Sequence, residues 1–263
     1  MTPALQTFGL AKRFGGIVAT DNVSFTLEEG ARHALIGPNG AGKTTFVNLL
    51  TGVLSASAGR VQLHGEDITG LNPQARVAKG LARTFQINQL FPALSPLEAL
   101  AVAAGERNGI GWRAFRGLAA TPEVQREIAQ VSERFGLTDV LTEKTETLPY
   151  GKQRLLEIAL AFACRPRVLL LDEPAAGVPE NERAEILAAV AELPRDVSVL
   201  LIEHDMDVVF QFAERISVLV DGALLTEGTP EEVAGDPQVR AVYLGESPGS
   251  RSEERRVGKE CRS

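Results

Sequence analysis

Residues 37–44 read GPNGAGKT, with glycines at 37, 40 and 42 and a lysine and a threonine side by side at 43 and 44. This is the full spacing G-x-x-x-x-G-K-[ST]. Glycines let a backbone wrap closely around an anion with its N–H groups turned inward, and a helix that starts there adds positive potential. Gly37, Pro38, Asn39, Gly40, Ala41, Gly42, Lys43, Thr44 and Thr45 are therefore the expected phosphate-binding run. Lys43 is expected to reach β- and γ-phosphates, and the Thr44 hydroxyl to ligate Mg²⁺. The alternative is a chance glycine-rich turn, but the loop follows a predicted strand and opens a predicted helix, the context the motif requires. Such a loop needs an acidic partner for the metal. Asp172 ends the apolar run VLLLD, where a parallel sheet presents its ligand-binding edge. Glu173 follows and could take a proton from water, or orient it, opposite the γ-phosphate. As a lone strand-end charge Glu173 would read as solvated; beside Asp172 and the glycine loop it reads as functional.

The elements that must position these groups alternate strand and helix. VSFTLEEG places Val23, Phe25 and Leu27 at period two, which predicts a half-buried strand. ALIG leads into the glycine loop, KTTFVNLLTGV into a helix, and GRVQLHGEDI into further strands. From about Pro96 to Leu148 the character is helical, and Thr121 with Pro122 predicts a helix start. After Gly151 the chain reads helix LLEIALAFAC, strand RVLLLDEP, helix NERAEILAAVAEL, strand VSVLLIEHD, helix MDVVFQFAE and strand RISVLVDG. Two of these strands are near-continuous apolar runs, as central parallel strands buried on both faces require. The fold class expected is an α/β core with a helical insertion at about residues 88–158, without an internal repeat.

The 263 residues can bury a proper core, and 44% are hydrophobic. No apolar run reaches the length of a membrane span. The start MTPALQTFGLAKRF lacks a basic region followed by an apolar one, so no signal peptide is expected. Two cysteines supply neither a disulfide framework nor metal-ligand spacing, and a cytoplasmic setting is expected. A net charge of −7 argues against a general nucleic-acid binder, though not against one local nucleotide site.

GPNGAGKTT, RTFQ, LPYGKQRLLEIALAFACRPRVLLLDEP and LLIEHDM occur in this order and at fitting spacing. Over about residues 5–245 the chain resembles the ATP-binding subunit of ABC transporters. YG-x-QR-x-LEIA, DEPAAG and the C-terminal EGTPEEVAGDPQVRAVYLGE look like the branched-chain amino-acid importer group. The resemblance implies an ABC-type P-loop ATPase core with a mainly parallel sheet and an antiparallel β subdomain (1–87 and 159–246). It places a helical subdomain with a signature motif at 88–158. It implies ATP and Mg²⁺ as ligands, with Thr44, Gln86 and Asp172 on the metal. Phe14 would stack on adenine, Glu173 would act as base, and His204 would sense the γ-phosphate. Stacking of this kind is worth about 1–3 kcal/mol and tolerates any base; an ordinary strand-end aromatic is the alternative for Phe14.

The resemblance also gives LPYGKQR a role. Tyr150, Gly151, Lys152 and Gln153 occupy the signature whose N–H groups reach the γ-phosphate held by an opposite subunit. The cationic residues in this helix's first turn oppose its dipole, so they suit a helix that binds an anion. Pro149 stands where the family has serine and removes a hydroxyl and an N–H. The implied partners are a second ABC ATPase subunit, integral membrane permease subunits and, indirectly, a periplasmic or extracellular solute-binding protein, with no nucleic acid. The subunit would sit in the cytoplasm, on the inner face of the membrane. Two rivals are the ATPase of a lipopolysaccharide-type exporter and a soluble ABC ATPase acting on ribosomes or DNA. The second usually shows tandem cassettes, coiled coils or basic patches.

Three features are set aside. Asp67-Ile-Thr-Gly70 reads as a turn, because no base-reading N-K-x-D accompanies it. Asn22-Val-Ser24 is a chance sequon without a secretory context. GWRAFRG at 111–117 reads as the tip of the insertion, with a permease or membrane contact as the alternative. RSEERRVGKECRS at the end resembles a translated sequencing adapter, and 247–263 is expected to be a non-native, disordered tail.

Overall fold

Alternate residues of the apolar runs face opposite sides of one sheet, and both sides are covered. In β8 (Val168–Asp172) and β9 (Ser198–Ile202), Leu169, Leu171, Val199 and Leu201 face one apolar cluster. Val168, Leu170, Leu200 and Ile202 face another. The structure, a computed structural model, describes residues 2–84, 90–107 and 121–244. This sheet has the order β11-β10-β4-β9-β8-β7, with β4 (Arg32–Ile36), β7 (Leu81–Arg83), β10 (Arg215–Val220) and β11 (Ala223–Gly228). All its pairings are parallel except β10 with β11.

An antiparallel sheet joins β1 (Leu5–Phe14) to β2 (Ile17–Val23), β3 (Thr26–Leu27) and β5 (Ala58–Leu63), with β6 (Glu66–Asp67) beyond β5. It shares the second cluster with helix Lys43–Leu50, through Leu5, Leu10, Phe25, Phe46 and Leu50. The expected strand VSFTLEEG is interrupted: Val23 ends β2, and only Thr26 and Leu27 form β3. Between them the Thr7 hydroxyl donates to Val23 O (2.9 Å) and accepts from Phe25 N (3.0 Å), sharing that N–H with Thr7 O (3.3 Å), while Thr7 N still donates to Phe25 O (2.9 Å). Val23, Phe25 and Leu27 are nevertheless all buried, as their period implies.

Helices Pro96–Arg107, Pro122–Arg134 and Tyr150–Ala163 pack on the first cluster. Val124, Ile128 and Val131 form one stripe on the middle helix, with Thr121 at its N-cap and Pro122 following. Asp67-Ile-Thr-Gly70 is a turn as expected, with Asp67 Oδ1 accepting from Thr69 N at 2.8 Å. Residues 111–117 and 247–263 lie outside the described residues.

Candidate nucleotide site

Strands β4, β9 and β8 lie side by side, and their register aligns Leu35 with Ile202 and Ile202 with Asp172. Their carboxyl ends therefore open on one edge, which carries Gly37–Gly42, Glu203–His204 and Asp172–Glu173.

At Gly37 a Cβ would run into Leu219 O, and Gly42 has a φ of +97°, so both positions demand glycine. Gly42 is also the N-cap of helix Lys43–Leu50 and has no side chain to cap it; no acidic residue stands in the first turn. An anion would complete that helix start. Lys43 Nζ donates to Gly37 O at 2.5 Å and Pro38 O at 3.1 Å, so the ammonium is held across the loop. Burial lowers its pKa, against the opposing pull of Glu173 and Asp172. Ala41 is buried, while Asn39, Gly40 and Thr44 are exposed and Thr45 is half-buried. Gly222 ties the loop to the β1–β2 hairpin: its N–H donates to Ala41 O (2.9 Å) and its carbonyl accepts from Asp21 N (2.7 Å). That hairpin carries Phe14 at the end of β1, with 46% of its surface exposed.

Asp172 is buried, and Arg83 Nη2 donates to its Oδ2 at 2.6 Å. Arg83 Nη1 also donates to Asn48 Oδ1 at 2.6 Å, which links β7, β8 and the phosphate-loop helix. Nothing in the RTFQ stretch itself marks Arg83 for this role, because its partner Asp172 lies 89 residues away. Among the described residues no three His, Cys, Asp or Glu side chains form a metal cage. Asp172 and Thr44 are hard oxygen donors, one carboxylate and one hydroxyl. Such a sparse set fits Mg²⁺, which takes few protein ligands and completes its shell with phosphates and water. Gln86, the third expected ligand, lies outside the described residues.

Glu173 has a φ of +47°, a strained value for a residue with a side chain. Its N–H donates to Ile202 O at 2.9 Å, and its Oε1 lies 3.4 Å from His204 Nδ1. The site thus brings together the glycine loop, Glu173 and His204.

The LPYGKQR stretch departs from expectation in two ways. Its helix begins at Tyr150, with Pro149 as N-cap, so Gly151 lies inside the first turn. The first-turn cations are spent within the chain. Lys152 Nζ bonds Gly136 O (2.7 Å) and Glu185 (2.9 Å), and Arg154 pairs with Glu157 at 2.7 Å. In the chain by itself nearby carboxylates and a carbonyl hold them. Gln153 donates to Leu148 O at 2.9 Å, and the Tyr150 hydroxyl lies 3.4 Å from Ala176 O. Gly151 N donates to Glu182 Oε2 at 2.8 Å, and a Cβ on Gly151 would collide with that carboxylate. A side chain at Gly151 would push Glu182 away, and a carboxylate already takes the Gly151 N–H.

A glycine-rich phosphate loop, paired carboxylates and a histidine at one edge of a parallel sheet define a P-loop nucleotide-binding protein. The chain belongs to the ABC transporter family, as an ATP-binding subunit: the family model described as "ABC transporter" matches residues 20–176. A second, described as "Branched-chain amino acid ATP-binding cassette transporter", matches residues 223–248. The high-affinity branched-chain amino acid transport ATP-binding protein BraF of Pseudomonas aeruginosa is 41% identical, covering 93% of this chain and 99% of that protein. LivG of Escherichia coli K12, which carries the same description, is 39% identical over the same shares. A nucleotide-free ATP-binding cassette from an ABC transporter superposes with a TM-score of 0.80 at 32% identity, covering 93% of this chain and 100% of that one. A cassette in its ADP conformation gives a TM-score of 0.79 at 30% identity, covering 94% of this chain and 100% of that one.

Proposed function

We propose that the chain hydrolyses ATP to power import of branched-chain or related amino acids through separate permease subunits. The observation that carries this is the convergence of the glycine loop, Asp172–Glu173 and His204 on adjacent strand ends. The 39–41% identity to branched-chain transport proteins over nearly their whole length supports the transported class.

Phe14 stacks on the base, and the loop from Gly37 to Thr45 receives the phosphates. Lys43 releases its loop carbonyls to meet the β- and γ-phosphates. Thr44, Asp172 and Gln86 would hold Mg²⁺, which would offset the charge of the phosphates. Glu173 takes a proton from a water as its oxygen attacks the γ-phosphorus; the bond to the bridging oxygen breaks and ADP leaves. His204 faces the γ-phosphate. Two copies of the cassette, or this chain and a related one, close around two ATP molecules, each offering Gly151 N–H to the other's γ-phosphate. Glu182 must release that N–H first. In this reading residues 1–87 and 159–246 form the core, 88–158 the helical subdomain and 247–263 a tail.

Among the described residues no helix is long and apolar enough to cross a membrane. The membrane contact therefore belongs to permease subunits, on the cytoplasmic side, and a solute-binding protein delivers the amino acid to them. Two residues before Gln86, Thr84 lines an apolar groove of about 410 Å³ with Val53, Val77, Phe91 and Leu160. Phe91 is 65% exposed there, a surface suited to an apolar permease helix. The test is reconstitution with the permease and binding protein in vesicles. Leucine, isoleucine or valine should stimulate ATP hydrolysis and enter the vesicles, and Lys43→Ala should abolish both. Hydrolysis indifferent to all three amino acids would contradict the importer reading.

A further inference from the structure

Glu203 ends its strand beside the proposed machinery without belonging to it. Its side chain is 2% exposed, and its N–H points to Leu35 O of β4 at 3.4 Å. One carboxyl oxygen, Oε2, accepts from His204 N at 3.2 Å and lies 3.8 Å from His204 Nδ1. The other, Oε1, is buried without a hydrogen-bond partner among the described residues. A buried carboxylate normally has both oxygens satisfied, so an orphaned oxygen next to an active centre calls for an explanation. Glu173 Oε1 approaches the same ring nitrogen from β8, at 3.4 Å. His204 Nδ1 is thus turned toward two carboxyl groups, while the ring itself is 59% exposed at the sheet edge.

We propose that Glu203 is a positioning residue for hydrolysis, holding the His204 imidazole with Nδ1 toward the carboxyls and Nε2 toward the nucleotide. Burial and the charge of Glu173 both raise the pKa of Glu203, against the backbone N–H groups and ring of His204 and the N–H of Asp205. The buried setting thus favours the neutral form of Glu203 more than an exposed carboxyl would allow. The role rests on Glu173 acting as base.

The test compares Glu203→Gln and Glu203→Ala in the full chain, in steady-state hydrolysis and by ¹⁵N NMR of the histidine rings, with His204→Gln identifying the His204 signals. The alanine variant should lose about tenfold or more in kcat with KM for ATP within about twofold, since binding groups are untouched. Glutamine, a neutral isostere, should restore kcat to within about threefold. His204 should report a single tautomer, protonated at Nδ1, in the parent and the glutamine variant, and a mixture in the alanine variant. Glu203→Met, which fills the same space without an acceptor, takes the place of alanine should that variant not fold. An alanine or methionine variant with parental kcat, a glutamine variant as slow as alanine, or an unchanged His204 tautomer would each overturn the role. A Glu173→Gln protein that hydrolyses at the parental rate would instead remove the base assignment beneath it, whatever Glu203 does.

Discussion

At the scale of single residues, the carboxylate on Gly151 has the sharpest consequence. Glu182 Oε2 holds the Gly151 N–H at 2.8 Å, and a partner's γ-phosphate would need the same group. Glu182→Ala should therefore lower the ATP concentration for half-maximal dimerisation by about threefold or more, an effect of the size of one charge-assisted hydrogen bond. Size-exclusion across an ATP titration reads this, and an unchanged or higher midpoint would show that Glu182 only buttresses the helix. Residue types were legible where chemistry restricts them. The glycines, Lys43, Thr44, Asp172 and Glu173 announce themselves by spacing along the chain. Glu182 and Arg83 did not, because their partners are distant in sequence, Gly151 lying 31 and Asp172 lying 89 residues away. An acidic residue near a helix start reads equally well as a dipole-matching surface charge.

At the scale of elements, the phosphate loop depends on a helix of only eight residues, Lys43–Leu50. Its last carbonyls are finished by a residue far outside it: Arg76 Nη1 donates to Leu49 O at 2.7 Å and Leu50 O at 2.6 Å. Its Nη2 reaches Thr69 O at 2.8 Å, and the whole residue is 2% exposed. Arg76→Ala should remove these bonds, leaving Leu49 O with the Gly52 N–H at 3.3 Å, and cost about 2–4 kcal/mol. Urea unfolding would show it as a lower midpoint at unchanged slope; a shift worth under about 0.5 kcal/mol would mean that the helix end is satisfied otherwise. The strands β8 and β9 were legible as apolar runs, since burial on both faces leaves polar residues only at their ends, Asp172 and Ser198. Period two in VSFTLEEG reports which side chains are buried, and does not reveal the break at Ser24–Phe25, where the Thr7 hydroxyl joins the backbone bonding. The helix start at Tyr150 was placed late because Pro149, an unusual cap, carries no side-chain acceptor to mark it.

At the scale of the whole molecule, one buried histidine couples stability to pH. His33 is 1% exposed, 2.8 Å from Ser217 Oγ, and Ser217 Oγ donates to Glu227 Oε2 at 2.8 Å. Burial pulls His33 down to about 4 from 6.5, against the opposing pull of Glu227. The unfolded chain therefore binds a proton at pH values where the folded one does not. Stability from this group is complete above pH 6.5 and falls as pH drops toward 4, by on the order of 3 kcal/mol. Urea midpoints at pH 7 and 4.5 should fall less for His33→Gln than for the parent, and equal falls would remove His33 as the cause. The central claim, that two such chains close on ATP and reopen on hydrolysis by Glu173, is tested most directly with Glu173→Gln in Mg²⁺-ATP. The glutamine keeps the loop, Thr44 and Asp172 but removes the base, so hydrolysis should fall by about 100-fold or more. ATP should still bind, and size-exclusion should show a stable dimer that disappears when Gly151→Asp is added. A Glu173→Gln protein that turns over ATP at the parental rate, or that at saturating ATP dimerises neither with itself nor with a related cassette, would contradict the account.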